Sequence, residues 1–388
     1  MTIHDSVALS GAGAKGQRIE EIRLYTLTVP LKEPFVISFG AITHARNLVV
    51  ELRSESGIVA QGEASPFPTL VGETQETAFA LGQDLARLLV GKDGLALEAR
   101  LAEIEHALPG NSTIKSAFDL ALHDLLAQQA NLPLYRLFGG SNQRRIFTDM
   151  TVSLGEIPGM VEQAQRFLAE GFPYLKVKLG GEPDADIERI RAIREAVGME
   201  IPLRIDANQG WNTLAAIRVL KALEPFHIDY CEEPVPCWDQ AGLARVAAQS
   251  PIPIMADESA FNHRDTFRLA AAEACHYVNI KLSKSGGLRT ALRIVAVAEA
   301  AGMECQVGCM AETRHALTAL THLVASRPSI VHFDIDSSLM HAADPVEGGI
   351  EYLGAGEWRL PETPGIGARF AEDWLARGDC AILRAEDS

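Results

Sequence analysis

No C-x-x-C pair occurs among the six cysteines, which stand at 231, 237, 275, 305, 309 and 380. Their scatter reads as a reduced, cytosolic chain and excludes a disulfide framework. No uncharged apolar run approaches the roughly 18 residues that a membrane crossing needs. The opening MTIHDSVALSGAGAKG lacks the basic and then apolar regions of a signal peptide. Positive charge is in deficit: 35 basic residues against 51 acidic ones leave a net charge of −16. That balance argues against nucleic acid or an anionic membrane as the main partner. G-x-S-x-G, H-E-x-x-H and Walker sequences are absent too. The expectation is a soluble cytoplasmic protein.

What is present suits an enzyme. Hydrophobic residues make up 47% and charged residues 22% of 388 positions, a globular balance. The length fits a barrel of about 250 residues with a smaller companion. Residues 1–17 read as a flexible tail. Their Gly11, Gly13 and Gly16 spacing lacks the preceding strand and following helix of a dinucleotide site. Residues 18–140 read as an α+β capping domain. Strands run from Ile19 to about Ala64, interrupted by a Pro-flanked loop at 34–40, and helical periodicity follows from about Glu73 to Ala130. Ser112 is the expected N-cap of the last helix, with Asn131 and Pro133 ending it. The S-x-x-K match at Ser112–Lys115 lacks its companion motifs and carries no weight.

After Gly139-Gly140 short β-type runs alternate with amphipathic helices. The runs are TVSL, LKVKL, LRID, IDYCE, IPIMAD, YVNIKL, CQVGCM and IVHFDID. In the helix DIERIRAIREAVG, Ile187, Ile190, Ile193 and Val197 share one face, and Gly171, Gly198 and Gly302 fall where C-caps belong. Eight strands with seven helices predict a modified TIM barrel, (βα)7β, over 141–350. Residues 351–388 form a C-terminal segment expected to return toward the capping domain.

The polar residues at the strand ends carry the chemistry. Lys178, Asp206, Glu232, Asp257 and Lys281 follow one another at intervals of 28, 26, 25 and 24 residues, one βα unit each. They therefore converge on the barrel mouth, where such folds place their active sites. Asp206, Glu232 and Asp257 make an oxygen-only, hard ligand set suited to Mg²⁺ or Mn²⁺. Cys231 precedes Glu232 and points to the opposite face. Lys176 and Lys178 face one way, and like charges so close are expected to lower each other's pKa. Lys281 lies four strands from Lys178, across the ring. Two amines flanking a metal-bound substrate predict proton removal from one face and delivery to the other.

The ordered set KVKLG, RIDANQGW, EEP, MADES and NIKLSKSGG resembles the enolase superfamily, in its muconate-lactonizing subgroup. The similarity spans the chain after residue 18, ALHDLLAQQANLPLYRLFGG included. A lysine base beside Mg²⁺ is the general pattern of enolase-type sites. The resemblance implies one Mg²⁺ per subunit on Asp206, Glu232 and Asp257, with Lys178 and Lys281 as the paired acid/base catalysts. Lys176 would neutralise the substrate carboxylate, and Asn208 and Glu258 would support the ligands from behind. Asp334-Ile335-Asp336 brings the likeness closest to dipeptide epimerases, because a spare pair of anions suits a substrate ammonium. Thr151, Met310 and Phe39 are further expected substrate contacts. One departure concerns specificity. Relatives acting on Ala-Glu carry an arginine in the first-domain loop, and PFVISFGAIT has Gly40 in that place. The implied reaction is epimerisation, through an enediolate, of the second residue of a dipeptide. Racemisation of an N-acylamino acid, cycloisomerisation and dehydration of an amino-acid-like carboxylate use the same machinery, and a non-catalytic peptide binder is a remote alternative. Expected partners are the small-molecule substrate and, in a homo-oligomer, further copies of the chain.

Overall fold

The computed structural model describes residues 17–38 and 40–387. The glycines at 11, 13 and 16 and Phe39 lie outside these residues. Among the described residues no helix is long and apolar enough to cross a membrane.

Eight parallel strands follow one another in sheet order as in chain order: Met150–Val152, Leu175–Lys178, Leu203–Asp206, Ile228–Glu232, Ile254–Ala256, Tyr277–Ile280, Glu304–Val307 and Ile330–Phe333. Helices from Ile157–Ala169 to Arg314–Ser326 fill the seven intervals. An extra helical turn, Leu282–Ser285, follows the sixth strand. The ring closes where Asp149 N donates to Phe333 O at 3.2 Å and Ile335 N donates to Thr148 Oγ1 at 2.9 Å. This is the (βα)7β barrel that the sequence spacing predicts.

Its local logic is simple. On the second strand Leu175 and Val177 belong to the apolar core, while Lys176 and Lys178 take the alternate positions and face the ring. Pro183 opens the next helix, where it sacrifices no intrahelical hydrogen bond. Ile190, Ile193 and Val197 of that helix are buried and Ile187 is half-buried, and Gly198 ends it at φ 81°.

The N-terminal layer is an antiparallel sheet of Ile19–Ile37, Gly40–Ser54 and Val59–Ala64, with Cys380–Arg384 added beside the first strand. The helix Ser112–Gln129 packs against it so closely that a Cβ on Gly62 would lie 2.0 Å from Ala117 O. Three local expectations change. Within the loop expected at 34–40, Phe35, Val36 and Ile37 instead pair with Ile42, Ala41 and Gly40, prolonging the hairpin. Aromatic and β-branched residues favour the extended form, and Pro34, which has no N–H to offer, falls within the register break between Pro30 and Phe35. The helical stretch from Glu73 onward is three helices, Gln75–Leu89, Leu97–Ala107 and Ser112–Gln129. Ser112 begins the last of these and does not cap it. Instead the buried Glu73 accepts hydrogen bonds from Thr113 N (3.0 Å) and Ile114 N (3.4 Å), so a distant carboxylate satisfies the helix end.

Carboxylates of this layer also cap barrel helices. Glu63 accepts from Thr313 N (2.8 Å) and Ala316 N (3.0 Å), and Asp119 from Leu288 N (2.6 Å) and Arg289 N (3.2 Å). The two layers are thereby locked in one orientation over the barrel mouth.

Candidate active site

Each expected ligand or base stands on the last residue of a barrel strand or the first residue after it. Lys178, Asp206 and Glu232 end the second, third and fourth strands, and Asp257, Lys281 and Asp334 directly follow the fifth, sixth and eighth. All six side chains are buried. The backbone turns sharply just beyond: Asn208 (φ 40°), Gln209 (φ 66°) and Glu233 (φ 34°) occupy the left-handed region that non-glycine residues rarely adopt. Such outliers cluster where a surrounding structure over-determines a site.

The charges interlock. Lys178 Nζ donates to Asp206 Oδ2 at 2.6 Å, and Lys281 Nζ lies 2.8 Å from Asp257 Oδ2. Lys176 sits between Asp334 Oδ2 (2.7 Å), Glu232 Oε2 (2.8 Å) and Asp206 Oδ2 (3.3 Å). Burial opposes the charge on Lys176, yet Asp334, Glu232 and Asp206 together hold its pKa well above the ordinary lysine value. The expected lowering of Lys176 by Lys178 is therefore overturned, because three carboxylates outweigh one neighbouring ammonium. Its partners are also protein carboxylates, so its charge is already matched. Burial likewise opposes the charge on Lys281, but Asp257 and Glu232 raise its pKa overall. Burial and then the Asp206 carboxylate push Glu232 up to about 7, although Lys176 works against them.

Asp206, Glu232 and Asp257 form a fully buried, all-oxygen set. Mutual repulsion raises Glu232, and Asp257 Oδ2 receives no directed hydrogen bond. Such a set calls for a hard divalent cation, and in donor type the residues fit one. Each acid is turned toward an ammonium, and their oxygens do not all fall within 4.8 Å of one another. Among the described residues the group that does is Cys309, Asp334 and Asp336. Lys176 holds Asp334, and Asp336 accepts from Thr151 N (3.0 Å) and Cys309 Sγ (3.6 Å). Burial and then Asp334 push Asp336 up to about 7.

Lys178, Lys281, Asp334, Asp336, Thr151 and Met310 line a single cavity, as does Asn208. Asn208 N donates to Asp206 Oδ1 (2.9 Å) and its Nδ2 to Glu258 Oε1 (3.2 Å). The expected supporting pair is thus joined, with Glu258 behind. Phe35 and Ile37 of the hairpin also line this cavity, and Ser38 Oγ ties the hairpin to Asn208 O at 2.9 Å.

The sequence reading missed several members. Glu232 is held by Asn279 Nδ2 (2.8 Å) and Gln306 Nε2 (3.2 Å). Glu233 accepts from Asp257 N at 2.7 Å, linking the ends of the fourth and fifth strands. Lys284, fully buried, donates to Asp257 Oδ1 at 2.7 Å. Asn279 had a signal: it lies two residues before Lys281, on the same face of its strand.

Both layers of the chain match known proteins. Residues 159–374 match a family model described as Enolase C-terminal domain-like. Residues 19–139 match one for the Mandelate racemase / muconate lactonizing enzyme N-terminal domain. The D-Ala-D/L-Ala epimerase of Cytophaga hutchinsonii is 46% identical over 92% of this chain and 97% of its own. The L-Ala-D/L-Glu epimerase of Clostridium acetobutylicum is 38% identical over 90% and 98%. A crystal structure of the dipeptide epimerase from Cytophaga hutchinsonii, complexed with Mg and the dipeptide D-Ala-L-Val, superposes with a TM-score of 0.93. It is 45% identical, with 95% of this chain and 100% of that one covered.

Proposed function

The chain belongs to the enolase superfamily, in its mandelate racemase/muconate lactonizing group, and from that premise we propose that it is a dipeptide epimerase. It inverts the Cα of the second residue by 1,1-proton transfer, acting on small-molecule dipeptides in the cytoplasm. The observation that carries this reading is the placement of Lys178 and Lys281. They stand four strands apart on one cavity, each held by a different carboxylate.

Asp206, Glu232 and Asp257 would hold one Mg²⁺, which when bound supplies Lewis-acid neutralisation of charge developing on the substrate carboxylate, worth several kcal/mol. The chain's own residues do the rest. One lysine, as the free amine, accepts the α-proton at Nζ, and the ammonium opposite delivers a proton to the other face. The two exchange roles with the starting stereoisomer. Asp334 and Asp336 present negative charge to the free amino terminus, and the Thr151 N–H fixes the Asp336 carboxylate. Phe35, Ile37, Phe67, Leu70 and Met340 close the cavity with apolar surface, excluding water from the reacting carbon. With Gly40 in the hairpin and no arginine there, an uncharged second side chain fits this wall.

Incubating a dipeptide library with the Mg²⁺-loaded enzyme in D₂O tests the reading. Deuterium should enter one α-carbon as the diastereomer appears, and a chelator should stop both. Turnover of an N-succinyl amino acid, with no exchange into any dipeptide, would overturn it.

A further inference from the structure

Besides Lys176, three buried ammonium groups surround the strand ends that carry Asp206 and Asp257, and they are held in two different ways. Lys178 and Lys281 each rest on a single carboxylate oxygen. Lys284, one helical turn beyond Lys281, is fully enclosed and directs its three N–H bonds to Asp257 Oδ1 (2.7 Å), Asp257 O (2.5 Å) and Asn279 O (2.9 Å). An ammonium has three donors. All three are spent on the protein, two of them on backbone carbonyls that cannot turn away.

Lys284 sits in this place because of the short helix Leu282–Ser285, whose four residues are all buried and which ends at Gly286 in the left-handed conformation (φ 82°). Gly287 follows at φ 107°, where a Cβ would strike Asp119 of the N-terminal layer. The turn is thus clamped from outside, and Lys284 is driven under Asp257.

We propose that Lys284 is a positioning residue that makes Asp257 a one-oxygen ligand. Its hydrogen bond occupies Oδ1 permanently and leaves Oδ2 alone for a divalent cation. Lys281 lies against that same Oδ2, so a cation held there would compete with Lys281 for one atom and would free its ammonium for the substrate. This inference rests on the proposed metal-dependent reading but not on the identity of the substrate.

Opposite effects on cation affinity separate positioning from simple charge. Either lysine contributes one positive charge beside Asp257, so an electrostatic effect alone would make loss of either tighten Mg²⁺. Positioning predicts otherwise. Lys284→Met should weaken Mg²⁺ by about 10–100-fold, as loss of a partner behind a metal ligand commonly does, whereas Lys281→Met should bind Mg²⁺ at least as tightly as the native protein. Calorimetric titration with Mg²⁺ and Mn²⁺ resonance spectroscopy read this without turnover. Excess Mg²⁺ should restore part of kcat to Lys284→Met and none to Lys281→Met. Unchanged or tighter Mg²⁺ binding by Lys284→Met overturns the proposal. Should that variant not fold, a crystal structure of the native Mg²⁺ form decides: Asp257 coordinating through both oxygens, or Lys284 detached from Oδ1, overturns it equally. Failure of every dipeptide to exchange would leave these binding results standing.

Discussion

Lys176 Nζ donates to Asp334 Oδ2 at 2.7 Å, joining the second barrel strand to the end of the eighth across the first. That bond crosses the seam where the ring closes, and the same ammonium also neutralises Glu232 and Asp206. Lys176→Met would strand three buried carboxylates with one cation fewer. Removing one partner of a buried pair costs about 3–5 kcal/mol. The variant should unfold at clearly lower urea concentration and lose activity, and equilibrium unfolding followed by circular dichroism measures the first effect.

Asp336 is fixed by donors on both oxygens, so Asp336→Asn alters charge more than shape. Loss of one partner of a desolvated charge pair costs about 2–5 kcal/mol. For a dipeptide, KM should therefore rise by at least about tenfold while kcat falls less. N-acetylating the substrate's amino group should abolish the difference between native and variant. Steady-state kinetics on the matched pair of substrates is the check.

His123 lies 3.1 Å from Asp119, the residue that caps the barrel helix at Leu288. Burial disfavours its charge, but Asp119 prevails and raises its pKa above 6.5. A raised histidine pKa adds stability that is fully present below the unfolded value and lost as pH climbs through the folded one. The stability gap between native protein and His123→Gln should thus be widest below pH 6.5 and shrink at higher pH. Urea titrations across that range would reveal a flat gap if the ion pair contributed nothing.

Gly210 crosses Gly180 so closely that a Cβ on Gly210 would lie 2.2 Å from Gly180 O. This crossing follows directly on Asp206 and Asn208. Gly210→Ala should cost about 1–3 kcal/mol through overpacking and displace the turn that positions Asp206. Both the denaturation midpoint and Mg²⁺ affinity should fall.

Much of this site could be read from the chain because period-two strands repeat at one βα unit, and that fixes where Lys178, Asp206, Glu232, Asp257 and Lys281 emerge. What escaped depends on directions that spacing does not encode. Lys284 in NIKLSKSGG looks like a solvated residue until the turn after Lys281 is seen clamped beneath Asp257. The charge state of Lys176 follows from partners on strands far away in sequence, so its neighbour Lys178 was a poor guide. Phe35–Ile37 reads as part of a loop because Pro34 interrupts the strand pattern and only Gly40–Ser54, as pairing partner, restores it. Glu73 caps a helix whose own first residue, Ser112, suggested a local cap.

The strand Cys380–Arg384 lies antiparallel to Ile19–Ile37, Arg384 opposite Glu21. A ribosome releases the chain from its amino end, so this sheet keeps one bare margin until residues 380–384 have emerged. For that interval an unpaired β-edge is open to chaperones or to a neighbouring nascent chain, and the fold seals it only when this late strand arrives.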